Sequence, residues 1–200
     1  MRIAIDIHGV LRDTNEKIKQ VYEKYLIDEQ ELDENKEFTY EMNLPVNTTN
    51  LLNHFSFPSE DDFFIFMYED FVMQIFGHSP STEMSTFQDL DETYHSFKED
   101  FKFILISNEV GKSKPATLFF ISKFGCQIDK IIFYNKLTEN TIWDEFDILL
   151  TSNPELLLQN NNKIIIKYTT EYNESIDTEY TINTIKELPS LLTKIKNNNV

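Results

Sequence analysis

Five short, almost uninterrupted apolar runs punctuate this chain: RIAIDI (2–7), FKFILIS (101–107), KIIFY (130–134), FDILLTS (146–152) and KIIIK (163–167). A strand with one face in water alternates apolar and polar side chains, whereas a strand buried on both faces is apolar throughout. The runs therefore predict the interior of a parallel sheet with helices on either side. Helical segments fall where such a sheet needs them: KPATLFFISKFG after the second run, NPELLLQ after the fourth and ELPSLLTKIK near the end. The alternation predicts an α/β fold, a doubly wound and mainly parallel sheet of Rossmann type. With 40% hydrophobic residues over 200 positions, the chain can build that core.

The gap between the first two runs is too long for a single crossover helix and predicts an inserted subdomain. We expect a core of residues 1–14 and 96–200 carrying a small helical cap over 15–95. Within the insert, the pattern predicts a helix over about 14–26, an acidic linker at 27–41, a polar stretch at 45–50 and a phenylalanine-rich helix in EDDFFIFMYEDFVMQIFG (60–77). Phe87, Leu90, Tyr94 and Phe97 at helical spacing predict a helix returning to the second strand. Aromatic stripes of this kind serve a core more readily than a ligand.

Acidic residues outnumber basic ones 34 to 18, for a net charge of -16. Such a field repels phosphate backbones and anionic lipid, which argues against nucleic-acid duplex and membrane as partners. No apolar run approaches the roughly 20 residues that span a bilayer. The start reaches Asp6 without the long apolar stretch of a signal peptide, and the lone Cys126 cannot form an intrachain disulfide. These features predict a cytoplasmic protein, in which the sequons at Asn47 and Asn173 carry no glycan.

Ligands of doubly wound sheets sit at the carboxyl ends of the strands. The first strand delivers Asp6, His8 and Gly9 there, with Asp6 and His8 on one side because side chains of an extended segment alternate. The second delivers Ser107, Asn108 and Glu109, the third Asn135 and Lys136, and the fourth Thr151, Ser152 and Asn153. A carboxylate, a neighbouring base, hydroxyls and a lysine suit phosphoryl transfer through an aspartyl-phosphate.

The stretch DIHGVLRDT resembles the first motif of the haloacid dehalogenase-like superfamily, Asp-X-Asp-Gly-Val/Thr-Leu. The later pieces ILIS, KPATLFFISKFG, IIFYNK and DILLTSNPELL follow in the order and spacing of its 5'(3')-deoxyribonucleotidase branch. The resemblance covers the first 14 residues and about 100–195, with the insert where that family keeps its cap. It implies Asp6 as nucleophile, Ser107 with Asn108 as phosphate-binding groups, and Lys136 as the lysine that steadies nucleophile and phosphate. It further implies a Mg2+ held by Asp6, the backbone carbonyl of His8 and the positions of Thr151 and Ser152.

Two departures from the motif bear on activity. His8 stands where the family has its acid/base aspartate, a role that imidazole can fill near neutral pH. Thr151 and Ser152 stand where it has magnesium-binding aspartates, and hydroxyls are poor replacements for carboxylates around a hard cation. Asp147 lies roughly 13 Å behind the strand end, leaving Glu109 and Glu155 as substitutes, and Mg2+ binding is expected to be weak or absent. The leading expectation is an impaired nucleotidase-like phosphatase that binds a phosphorylated small molecule or nucleotide, or a protein partner through its cap. The alternatives are an active Mg2+-dependent phosphomonoesterase using Asp6 and His8, and a purely structural or assembly subunit.

Overall fold

The structure, a computed structural model, describes residues 1–29, 51, 55, 57–159 and 162–198. The acidic linker from residue 30 onward and the polar stretch at 45–50 lie outside the described residues. Each apolar run forms a strand: β1 (Arg2–Asp6), β2 (Lys102–Asn108), β3 (Lys130–Tyr134), β4 (Ile148–Thr151) and β5 (Ile164–Tyr168). A further strand, β6 (Tyr180–Ile182), extends the sheet at one edge. The six described strands are all parallel, in the order β3-β2-β1-β4-β5-β6. The chain winds outward from β1 through β2 and β3, then restarts on the other side of β1 with β4. The switch point between β1 and β4 leaves a crevice at their carboxyl ends.

Alternation explains why the runs are continuous. Ile3, Ile5, Phe103, Leu105, Ile148 and Leu150 face one layer, built from α3 (Thr86–Phe97), α4 (Ser113–Lys123) and α7 (Leu188–Asn198). Ala4, Ile104, Ile106 and Leu149 face the other, where Trp143 and Phe146 follow the short α5 (Glu139–Ile142) and Leu156 belongs to α6 (Pro154–Leu157). Both faces are covered, so the strand interiors are apolar at successive positions rather than alternating.

The predicted return helix is α3. It buries Phe87 and Leu90 in the core cluster, with Tyr94 and Phe97 packed against it, so it lies in the core layer although it falls within residues 15–95. The cap has its own cluster, in which Ile18, Val21 and Tyr22 of α1 (Thr14–Glu29) meet Phe66, Met67, Ile75 and Phe76. Its phenylalanine-rich segment is not one continuous helix. It forms α2 (Glu60–Ile65) and then two wide π-type turns, Phe66–Asp70 and Met73–Gly77. Each turn buries adjacent residues, Phe66 with Met67 and Ile75 with Phe76, which a regular 3.6-residue stripe does not do as readily. Among the described residues no helix is long and apolar enough to cross a membrane.

Candidate active site

The site begins where β1 ends. Gly9 turns the chain in the left-handed region at φ +68°, and the loop closes as Gly9 N–H donates to the Arg12 carbonyl (2.9 Å) and Arg12 N–H to that of Ile7 (2.9 Å). A β-carbon at Gly9 would collide with the Ser152 hydroxyl and the Tyr172 phenol, so both the backbone angle and the space require glycine here. Asp13 starts α1 by accepting from Glu16 N–H at 3.1 Å.

Asp6 is 2% exposed. One carboxylate oxygen accepts from the His8 N–H (3.2 Å) and the other from the Thr151 hydroxyl (2.8 Å). Burial raises its carboxyl to about 6, against the opposing pull of His8, the Thr151 and His8 hydrogen bonds, and Arg12. A carboxyl that titrates above its ordinary 3.8 takes up a proton more readily folded than unfolded, so its ionised form burdens the fold above about pH 6 and ceases to as pH falls towards 4. Asp6→Asn, with its amide oxygen to His8 and its NH2 to Thr151, is accordingly expected to stabilise the protein by about 2 kcal/mol near pH 7.5 and hardly at all near pH 4. Urea unfolding at the two pH values measures this.

Both ring nitrogens of His8 face protein groups: Nδ1 meets Thr14 Oγ1 at 3.0 Å and Nε2 meets Glu109 Oε1 at 3.3 Å. Because Thr14 Oγ1 accepts from Arg12 Nε (3.1 Å), its own hydrogen is left for Nδ1, and Nε2–H then donates to Glu109. Arg12 Nη2 also lies 3.3 Å from each ring nitrogen, so both nitrogens are engaged by protein groups.

Beneath His8 lies a sealed ion pair. The Arg12 side chain is fully buried, donating to Glu109 Oε1 (2.8 Å), to Thr117 Oγ1 (2.5 Å) and to the Phe76 carbonyl of the cap (3.0 Å). Its guanidinium lies 5.1 Å from the Phe76 ring centroid and 5.5 Å from that of Phe120. Thr117 and Ser107 hydroxyls also donate to Glu109 Oε1, at 2.7 and 3.1 Å. Burial alone would raise the Glu109 carboxyl, but the hydrogen bond with His8 and the charges of His8 and Arg12 outweigh it and bring it to about 2.

Across the crevice, the Ser152 hydroxyl donates to the His8 carbonyl (3.2 Å) and pairs with the Tyr172 hydroxyl (2.8 Å). The buried Asn173 amide anchors this wall, donating to the carbonyls of Ser152 (2.8 Å) and Tyr168 (2.9 Å). Asn153 caps α6 by accepting from Glu155 N–H at 2.9 Å.

A cleft of about 680 Å3 opens between this edge and the cap. Asp6, His8, Asn108, Lys136, Ser152 and Glu155 line it from the core, so the expected nucleophile, base, Asn108 and Lys136 do meet there. Ser107, Thr151 and Glu109 do not line it. Ser107 and Thr151 are fully buried and turn their hydroxyls inward, onto Glu109 and Asp6. The phosphate contact expected of Ser107 is therefore not made from the cleft, and the metal role considered for Glu109 is pre-empted by Arg12. Asp147 sits at the opposite end of the sheet, accepting from Arg2 N–H (2.8 Å).

Sequence reasoning missed Arg12, Tyr134, Tyr172 and Asn173. Only Arg12 carried a signal, a lone cation in the otherwise apolar turn GVLR.

The magnesium implied by the motif does not fit these residues. Its two carbonyl and carboxylate oxygens, on His8 and Asp6, already receive hydroxyl hydrogens from Ser152 and Thr151. Tyr172 and Ser152 fill the space over Gly9, and among the described residues no group of three or more His, Cys, Asp or Glu side chains could hold a metal.

No family model matches the chain, and no curated protein matches it. Solved structures do. A haloacid dehalogenase-superfamily hydrolase of subfamily IA, variant 1, from Geobacter sulfurreducens is 13% identical, with a TM-score of 0.56 over 96% of this chain and 95% of that one. CbbY from Rhodobacter sphaeroides, in complex with phosphate, is 12% identical with a TM-score of 0.57 over 94% and 95%. The putative hydrolase YfnB from Bacillus subtilis, bound to magnesium, is 11% identical with a TM-score of 0.56 over 96% and 97%. The fold of this chain is that of the haloacid dehalogenase-like hydrolases.

Proposed function

We propose that this protein is a phosphatase-fold binding protein of nucleotidase-like ancestry, whose centre holds a small ligand in the cleft without metal-dependent phosphoryl transfer. One observation carries the reading: Thr151 and Ser152 donate hydrogen bonds to the very oxygens of Asp6 and His8 that a cation would take. A hydroxyl hydrogen supplies only a partial positive charge, so it satisfies those oxygens without drawing in a metal and without polarising a phosphate. The acid/base function is withdrawn in parallel, since Thr14 and Glu109 occupy both His8 nitrogens. The charge of the cleft also argues against a phosphorylated ligand, because Lys136 is the one lysine or arginine among the described lining residues.

A working Mg2+-dependent phosphomonoesterase is the competing reading, favoured by Asp6, Asn108 and Lys136 lining one cleft. The two part in a hydrolysis screen of p-nitrophenyl phosphate and deoxynucleoside monophosphates with excess magnesium, run beside Asp6→Asn. We expect no release of p-nitrophenol or phosphate above the Asp6→Asn background. Turnover that vanishes in Asp6→Asn would establish the phosphomonoesterase instead.

A further inference from the structure

We propose that the cleft takes a small organic cation, an alkyl ammonium held between aromatic rings and carboxylates; this rests on the reading of the site as a binding site without metal-dependent turnover. Two independent observations meet there. The first is charge: among the described lining residues, Asp6, Glu60, Asp61 and Glu155 oppose Lys136. Other nearby cations do not alter that balance. Arg12 is neutralised by Glu109, Lys112 is paired with Glu69, and Lys114 is not among the residues lining the cleft.

The carboxylates alone would have an ordinary explanation, since Glu60, Asp61 and Glu155 stand in the first turns of α2 and α6, where acids complement the helix ends. The second observation has no such explanation. Tyr134 ends β3, one strand removed from that of Asp6, lines the cleft, is 3% exposed, and has no hydrogen-bond partner for its hydroxyl among the described residues. The charges of Asp6 and Glu155 both act on this phenol. The hydroxyl is not among the sealed unpartnered atoms of the interior, so this otherwise buried side chain turns it to the cleft, where a ligand polar atom can take the place of water.

Across from it the cap presents aromatic surface. Phe64 and Tyr68 pair with ring centroids 4.7 Å apart, and Phe64 is 47% exposed although it is a large apolar ring. An ammonium donates to carboxylates and to a phenol oxygen, and it is attracted to ring faces; an alkyl stem covers the apolar wall. A phosphate dianion would instead face the carboxylates with one lysine to offset them.

Isothermal titration calorimetry of the full chain with spermidine, choline and inorganic phosphate, at low and moderate salt, tests this. We expect both ammonium compounds to bind and phosphate not to. Asp61→Asn/Glu155→Gln should weaken spermidine about tenfold, and Tyr134→Phe about threefold. Glu99→Gln/Asp144→Asn removes the same charge near the amino ends of the strands, away from the cleft, and should leave binding unchanged. Absence of ammonium binding, or equal weakening in that control pair, which would mark diffuse attraction to an acidic surface, overturns the proposal. Phosphate binding without turnover would overturn it while leaving the non-hydrolysing reading intact; magnesium-dependent hydrolysis would overturn that reading itself.

Discussion

Arg12→Met is expected to destabilise the protein by about 3 to 5 kcal/mol, the usual consequence of removing one partner from a buried ion pair and stranding the other. Glu109 would remain buried with its three neutral donors and no guanidinium, and the Phe76 carbonyl of the cap would lose its donor. Adding Glu109→Gln to Arg12→Met should recover most of the loss, because the stranded charge, more than the missing contact, dominates the penalty. Chemical denaturation of the two single variants and the double variant gives the coupling directly. The same pair shapes the acid limb of stability. A carboxyl lowered from 4.5 to about 2 contributes stability that is complete above its ordinary value and is lost as pH falls towards 2. Acid unfolding of the native chain should therefore begin below pH 4.5, and in the double variant this component should be missing.

The second large effect is a gain. Thr151→Asp/Ser152→Asp replaces the hydroxyls that donate to Asp6 and the His8 carbonyl with carboxylates, and so supplies a donor set suited to a hard cation. With a chelator present the double variant should be less stable than the native protein, since new negative charge faces Asp6 in a buried setting. Magnesium at 100 times its dissociation constant should then add about 2.7 kcal/mol. Differential scanning calorimetry with and without magnesium reads both halves. A double variant indifferent to magnesium would mean that the hydroxyls are not what keeps the cation out.

The fold was legible because it rests on local pattern. A run such as FILI (103–106) is apolar at every position only if both sheet faces are covered, and both are. β6 escaped notice because Tyr180–Ile182 is three residues long, lies at the sheet edge and interposes exposed Thr181 between apolar neighbours. The phenylalanine-rich segment looked like one helix because composition does not reveal where a turn widens to bury two adjacent residues.

The site was half legible. Asp6, His8, Asn108 and Lys136 share the cleft because strand ends converge at the switch point. Ser107 and Thr151 lie at those same ends, but whether a hydroxyl looks out to a ligand or inward to a neighbouring carboxylate depends on distant residues. The partner that turns Ser107 inward is Glu109, and what fixes Glu109 is Arg12, 97 positions away. No local pattern encodes that pairing.

The most direct test of the proposed metal-free centre is a magnesium titration of the native protein by isothermal calorimetry near pH 7.5, beside Asp6→Asn. The proposed function predicts no saturable binding heat in either, because Thr151 and Ser152 hydroxyls already donate to Asp6 and the His8 carbonyl. Saturable magnesium binding that disappears in Asp6→Asn would contradict it.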